Sequence, residues 1–449
     1  MDGAIVAIAL VAAYVLFIFW LVQSGRLQKW NLSLMLGVVL MVRTQRGKGV
    51  IDFLARPRRL WNAFADLGTV VTLTGMVGMT AVFAWSVWFS LQPGSGIKPL
   101  GANEILVIPG VNPFVPLWYG LIALVVTLIV HEGGHGVLAR ANGMRVKSLG
   151  LLVAVVPIGA FVEPDDEDLK LAPRRRRLRV FAAGPAVNLA FAVAALVGFS
   201  ALVGSIAPTS GVHVAGVVPG APAERAGLAA GSTVVAADGH STPDWASLRA
   251  FLNTTHPGQA VALTLDDGLT HAATLQSRWD TLTPAQREEA TAKDPQGAES
   301  LQHQSFLGVS PFLPENARYL AHPFTSGAIG FLSLVSLPIG EVRQQPMLSL
   351  YLPAFHHAPF APALFWPLVN VLFWVFWINL MVGLTNILPM LPLDGGHIFR
   401  DGVGGLVHRL RPAMPLQKLE RLVGWAATSM SLLILGAFIL QIVGPRLVS

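Results

Sequence analysis

The chain has 449 residues, 53% of them hydrophobic and only 12% charged, with a formal net charge of +6. That balance points to a polytopic membrane protein, and its excess Lys and Arg sits in membrane-flanking loops, which argues against nucleic-acid binding. Cysteine is absent, so there is no disulfide and no thiolate ligand, and any metal must be held by His, Asp, Glu or water.

From the start of the chain, Gly3–Gln23 is an apolar run of about twenty residues with no basic segment before it, the pattern of a retained transmembrane helix rather than a cleaved signal peptide. Further spans are expected at about 68–91, 113–138, 178–204, 362–390 and 422–443, about six in all, each able to cross a hydrocarbon core of roughly 30 Å. Three loops are rich in Lys and Arg: the one after the first span (Arg26 to Arg59), the one after the third (Arg140 to Arg179, including Arg174–Arg177) and the one before the last (Arg400 to Arg421). Their alternation with the spans puts all three on the cytoplasmic side and both termini outside. The short apolar stretches 31–42 and 326–340 are expected to be interfacial or re-entrant. "LGLLVAVVPIGAFVEP" (149–164), β-branched and broken by Pro-Ile-Gly, reads as a β-hairpin or membrane-dipping loop.

Between the fourth and fifth spans the composition changes. In 209–313 acidic residues outnumber Lys and Arg, as expected of a soluble domain on the far side of the membrane. Alternating strands, short helices at about 222–228 and 243–254, and turns at 238–240 and 266–268 describe a small α/β fold. Pro222-Ala223, Ala226-Gly227-Leu228, Gly231, Asp238-Gly239 and the Trp245–Leu252 helix resemble a PDZ domain of the bacterial-protease type, with Ser232 where such domains usually carry Asp. The stretch 277–304 reads as a polar, mobile insertion before a last strand at 306–311.

The fold class is therefore a polytopic α-helical membrane protein with an inserted α/β PDZ-like domain. Its expected parts are the N-terminal helices with their basic loop (1–112), the first half of a membrane core (113–204), the extracytoplasmic insert (209–313), an interfacial connection (314–361) and the second half of the core (362–449).

The chemistry centres on "HEGGH" (131–135), set at membrane depth, where ionisable side chains cost several kcal/mol. His131 and His135 are one helical turn apart on one face and can chelate a single ion of tetrahedral preference. Glu132 is placed to take a proton from a water whose pKa such an ion lowers to about 7. Gly133 and Gly134 each cost about 1 kcal/mol against Ala, so they argue for close approach of a substrate or a neighbouring helix. The plainer alternative is a pair of packing histidines. A third ligand is required to leave one position open. Asp394, in "LTNILPMLPLDGGHIF" (384–399), lies at the same depth and side, next to Pro389 and Pro392, which break helical hydrogen bonding where a cavity is needed. A helix-capping role for Asp394 and ligation by His397 instead are the competing readings.

HEGGH, "NILPMLPLDGG" (386–396), "AGPAVNLAFA" (183–192) and the PDZ-like insert together resemble the site-2 protease family of intramembrane zinc metalloproteases, over about 113–400. The resemblance implies that His131, His135 and Asp394 bind zinc, that Glu132 is the general base, and that Asn188 and Asn386 hold substrate backbone or steady the oxyanion. An interhelical hydrogen bond is the plainer role for either Asn. It also implies hydrolysis of single-span membrane proteins near the cytoplasmic leaflet. Separately, the β-like sequence of 149–164 and its position directly after the HEGGH helix suggest that this segment could pair with the unwound substrate. The PDZ-like domain then either recruits peptide C-termini or filters substrates by size. The alternatives are a non-catalytic scaffold binding peptides through that domain, or a membrane zinc peptidase of another family.

Overall fold

A computed structural model describes residues 3–30, 32–35, 37–92, 108–154, 156–325, 327–343, 348 and 351–448. Asp2, which bore on the N-terminal reading, lies outside them, as do single positions of the segments 31–42, 149–164 and 326–340. In chain order the main elements are α1 (Gly3–Gln23), β1 (Leu32–Met35), β2 (Val39–Thr44), α2 (Arg58–Ser90), α3 (Leu117–Ala141), β3 (Val146–Ala154), β4 (Val156–Pro164), α4 (Arg174–Phe181) and α5 (Ala183–Gly204). There follow β5 (Val212–Val217), β6 (Thr233–Ala237), α6 (Trp245–Leu252), β7 (Ala260–Leu265), β8 (Thr270–Thr274), β9 (Val309–Pro311), α7 (Gly327–Arg343), α8 (Pro362–Asn386), α9 (Asp394–Leu410) and α10 (Leu416–Val448). Among the described residues five helices are long and apolar enough to cross a membrane: α2, α3, α5, α8 and, as Leu416–Gly444, α10. The chain is a multi-pass membrane protein. It divides into two compact units, Met1–Ala195 with Trp374–Ser449, and Leu196–Phe373, with the divisions falling inside α5 and α8.

In the first unit a four-stranded antiparallel sheet runs in the order β1-β2-β3-β4. The described residues of segment 31–42, expected to be interfacial or re-entrant, form β1 and the start of β2 as a hairpin, with Leu40 set opposite Val153. Its apolar residues pack on α1, where Ile18 and Leu21 are buried against Leu40. The hairpin at 149–164 forms as expected, in register Leu149↔Val162 and Leu151↔Ala160. The span expected over 178–204 is broken, because the basic run forms its own helix, α4, which ends at Ala182 before α5 begins. Asn142 caps α3 by donating to the Leu138 carbonyl and accepts from Arg179, which also binds Asp66 of α2 through two contacts of 2.7 Å. One buried guanidinium thus fixes α4 against both α2 and α3. That placement matters for the site.

In the second unit the sheet order is β8-β7-β6-β5-β9, all neighbours antiparallel. Asp238 and Gly239, both at positive φ, turn β6 back onto His240–Ser241, the geometry of a two-residue hairpin loop. The core is Val212, Val214, Val234, Leu248, Val261 and Leu263, closed by α6, whose N-terminus Asp244 caps through Ser247. The stretch read as a mobile insertion forms two short helices, Pro284–Lys293 and Pro295–His303. The first has a Thr283–Gln286 capping box and the second an Asp294 cap. Residues 327–340 of segment 326–340 lie in α7, a helix of 17 residues containing Pro338.

Candidate metal centre

α3 carries His131 and His135 on one face, and the first turn of α9 brings Asp394 to them. Asp394 Oδ2 lies 3.2 Å from His131 Nε2, Oδ1 lies 3.3 Å from His135 Nε2, and the two Nε2 atoms are 3.4 Å apart. All three side chains are largely buried, 10%, 12% and 16% exposed. The glycines after Asp394 have a packing reason: a Cβ on Gly395 would fall on the Ile387 carbonyl, and one on Gly396 on the backbone of Met390 and Leu391. The first turn of α9 therefore rests directly on the Pro-rich loop, which sets the depth of the carboxylate.

The outer nitrogens of both rings are also engaged. His135 Nδ1 donates to the Val180 carbonyl of α4 over 2.8 Å, so its Nε2 is a bare lone pair facing a carboxylate oxygen. His131 Nδ1 lies 3.0 Å from the carboxamide of Asn188, a fully buried residue of α5 whose Oδ1 has no hydrogen-bond partner. If His131 Nε2 is given to a cation, Nδ1 carries the proton and the carboxamide oxygen is the end that must face it. The helices approach closely here. A Cβ on Gly134 would meet Val187 at 2.9 Å and the Ala183 carbonyl at 3.2 Å, and a Cβ on Gly184 would fall 2.5 Å from His131 Cε1 and His135 Nε2. Gly133, by contrast, has nothing within 4 Å of such a Cβ.

This donor set fits a four-coordinate metal. Lone pairs and carboxylate oxygens are aimed at one another, and Asp394 Oδ2 is buried without a hydrogen bond, an arrangement that a cation satisfies. The three ligand atoms lie within 4.8 Å of one another. A tetrahedron with bonds of about 2.0–2.1 Å has edges of about 3.3–3.4 Å, which matches the spacing of these atoms. Glu132 stands beside them, half-buried, with Oε2 accepting from the Val162 amide of β4 over 2.9 Å.

The other sequence candidates fall differently. Asn386 ends α8, half-buried, and makes no hydrogen bond to His131, His135, Asp394 or Asn188 among the described residues. His397 stacks on Phe181, with centroids 5.2 Å apart and planes at 19°, outside the cluster of three. Sequence reasoning missed Val180 and Val162, which act through backbone atoms and leave no side-chain signature. It also missed Gly184, although the Gly-Pro beside Asn188 was a visible signal.

A His-Glu-x-x-His helix completed by a distant carboxylate, in a chain with several apolar spans, defines a membrane-embedded metallopeptidase. The profile of peptidase family M50 matches residues 119–427, most of the chain, and the chain belongs to that family of metalloendopeptidases, whose metal is zinc. It is 29% identical over 177 residues to an uncharacterised protein of Methanocaldococcus jannaschii, covering 39% of this chain and 47% of that one. To a Clostridium acetobutylicum protein whose name marks it as a candidate zinc metalloprotease it is 26% identical over 313 residues, 62% of this chain and 84% of that one. To the regulator of sigma-E protease RseP of Escherichia coli it is 31% identical over 162 residues, 29% and 35% of the two chains. The chain thus spans about half the length of the archaeal relative and about a third of the Escherichia coli one.

Proposed function

We propose that this protein hydrolyses peptide bonds of single-span membrane proteins within or just below the cytoplasmic leaflet, with zinc held by His131, His135 and Asp394. The observation that carries this reading is the convergence of those three ligands at tetrahedral spacing beside Glu132. Zinc in that place supplies Lewis acidity toward water and the scissile carbonyl. Glu132 takes the proton from the attacking water and returns it to the leaving nitrogen. Asn188 orients His131 rather than touching substrate, a role supported by its contact with Nδ1. Asn386, with no partner among the four site residues, is kept for substrate backbone or the oxyanion.

A transmembrane substrate has its amides satisfied internally and must unwind before a carbonyl can react. Among the described residues β4 pairs with β3 on one side only, and its other edge runs past Glu132, so an extended peptide added there would lie within reach of the base. The order β8-β7-β6-β5-β9 with α6 supports a PDZ-like insert, in which β9 is an edge strand able to accept a peptide C-terminus. Recruitment and size filtering both remain its candidate roles: deleting 209–313 abolishes cleavage of natural substrates under the first and broadens substrate range under the second. The Lys- and Arg-rich loops support a cytoplasmic active site, with the insert and both termini outside.

The test is a reconstituted cleavage assay on a single-span reporter, run beside metal analysis. Glu132→Gln should keep its zinc and lose turnover. Wild-type turnover in that variant sinks the assignment.

A further inference from the structure

The basic run Arg174–Arg177 and the glycines of "DGVGG" (401–405) have no part in the chemistry above, yet the fold brings them together. The short helix Asp166–Leu171, α4, α9 and the start of α10 line an open pocket of about 670 Å³ whose walls carry Lys170, Arg174, Arg177 and Arg400. Two carboxylates share it. Asp401 is already bound by Arg177 at 2.6 Å, and Glu420 is exposed at its rim. Lys170, Arg174 and Arg400 have no carboxylate partner among the described residues; the Arg174 guanidinium donates only to the Gly402 carbonyl, over 3.1 Å. That guanidinium occupies the space where a Cβ on Gly405 would stand, 1.6 Å from Nη1, so the glycine is what lets it lie against α9. Three unpaired cations drawn from separate elements repel one another, and an anion offsets that cost.

Apart from His397, His408 and two glycines, the remaining wall is apolar, formed by Leu169, Phe181, Leu416, Leu419 and Val423. Leu416 is 68% exposed and opens the spanning helix α10, and Ala182 alone separates α4 from the spanning helix α5, so the pocket lies at the ends of two spans. A small hydrated anion has no use for such a wall, but a glycerophospholipid has both a phosphate and acyl chains.

We propose that this cavity is a binding site for an anionic phospholipid, its phosphate held by Lys170, Arg174 and Arg400 and its chains laid along Leu416, Leu419 and Val423. Phe181 joins the site to the metal centre: it follows Val180, which holds His135, and stacks on His397, one turn beyond Asp394. The inference needs only a membrane location and does not depend on proteolysis.

The test is native mass spectrometry of the full chain in detergent, titrated separately with phosphatidylglycerol, phosphatidylcholine and inorganic phosphate. Wild type should retain phosphatidylglycerol in preference to phosphatidylcholine. The Lys170→Ala/Arg400→Ala variant, altered at two exposed positions, should weaken that binding about thirtyfold, and Gly405→Ala, which must displace Arg174, about fivefold. Equal retention of the two lipids overturns the proposal. So does undiminished binding in the double variant, or displacement of the lipid by excess inorganic phosphate.

Discussion

Each of the two units contains a buried histidine, and they handle burial in opposite ways. In the insert, His213 is 3% exposed, stacks on Phe355 with centroids 4.4 Å apart, and has both nitrogens satisfied: Nε2 donates to the Thr209 carbonyl and Nδ1 accepts from the Thr233 hydroxyl. It is a neutral ring with nothing left to bind. In the membrane unit, His131 and His135 are anchored by their outer nitrogens alone, and their inner lone pairs face each other and a carboxylate. Burial by itself therefore says little about function. What marks a site is which lone pairs the neighbours leave unused.

The comparison breaks most readily at Asp394. Asp394→Ala leaves two imidazoles to hold the ion, so zinc content should fall to background and peptide cleavage with it, as read by metal analysis and the reporter assay. Glu132→Gln leaves the ligands intact and removes the proton carrier, and turnover should drop about 10²–10⁴-fold with zinc unchanged. Asn188→Ala removes the partner of His131 Nδ1, and zinc affinity measured by chelator competition should fall about 10–100-fold. Asn188→Asp, which keeps an acceptor, should recover most of it, whereas a residue serving only to pack helices would not show that rescue.

The smallest effect belongs to His213. Burial holds its pKa below the ordinary value, against a weaker upward pull from the Thr209 carbonyl and Asp266. The unfolded chain takes up a proton near pH 6.5 and the folded domain resists it, so stability is full above about pH 6.5 and declines as pH falls through it. Buried His356 adds a shift of the same sign. Amide hydrogen exchange of β5 and β6 in the full chain should accelerate on acidification, and His213→Gln should flatten that dependence.

Much of the site was legible because its signals are local. The i, i+4 spacing of HEGGH declares a shared face, and the Pro-rich loop before Asp394 declares broken backbone at a matching depth. The roles of Val180 and Val162 were hidden because backbone atoms carry no residue identity. Asn188 was visible as a buried polar group, but its contact with His131 depends on how α5 crosses α3, which no local pattern encodes. The strands within segment 31–42 were not legible for a related reason: β2 takes its second partner, β3, from more than a hundred residues away, and apolar residues on both faces erased the alternation that identifies a strand.

The bond between Glu132 and the Val162 amide has a consequence for the enzyme at rest. Oε2 of that carboxylate and the outer edge of β4 share one amide, so the proposed pairing of a peptide with β4 and the proposed work of Glu132 would be coupled: a strand added there would compete with the side chain for the same donor.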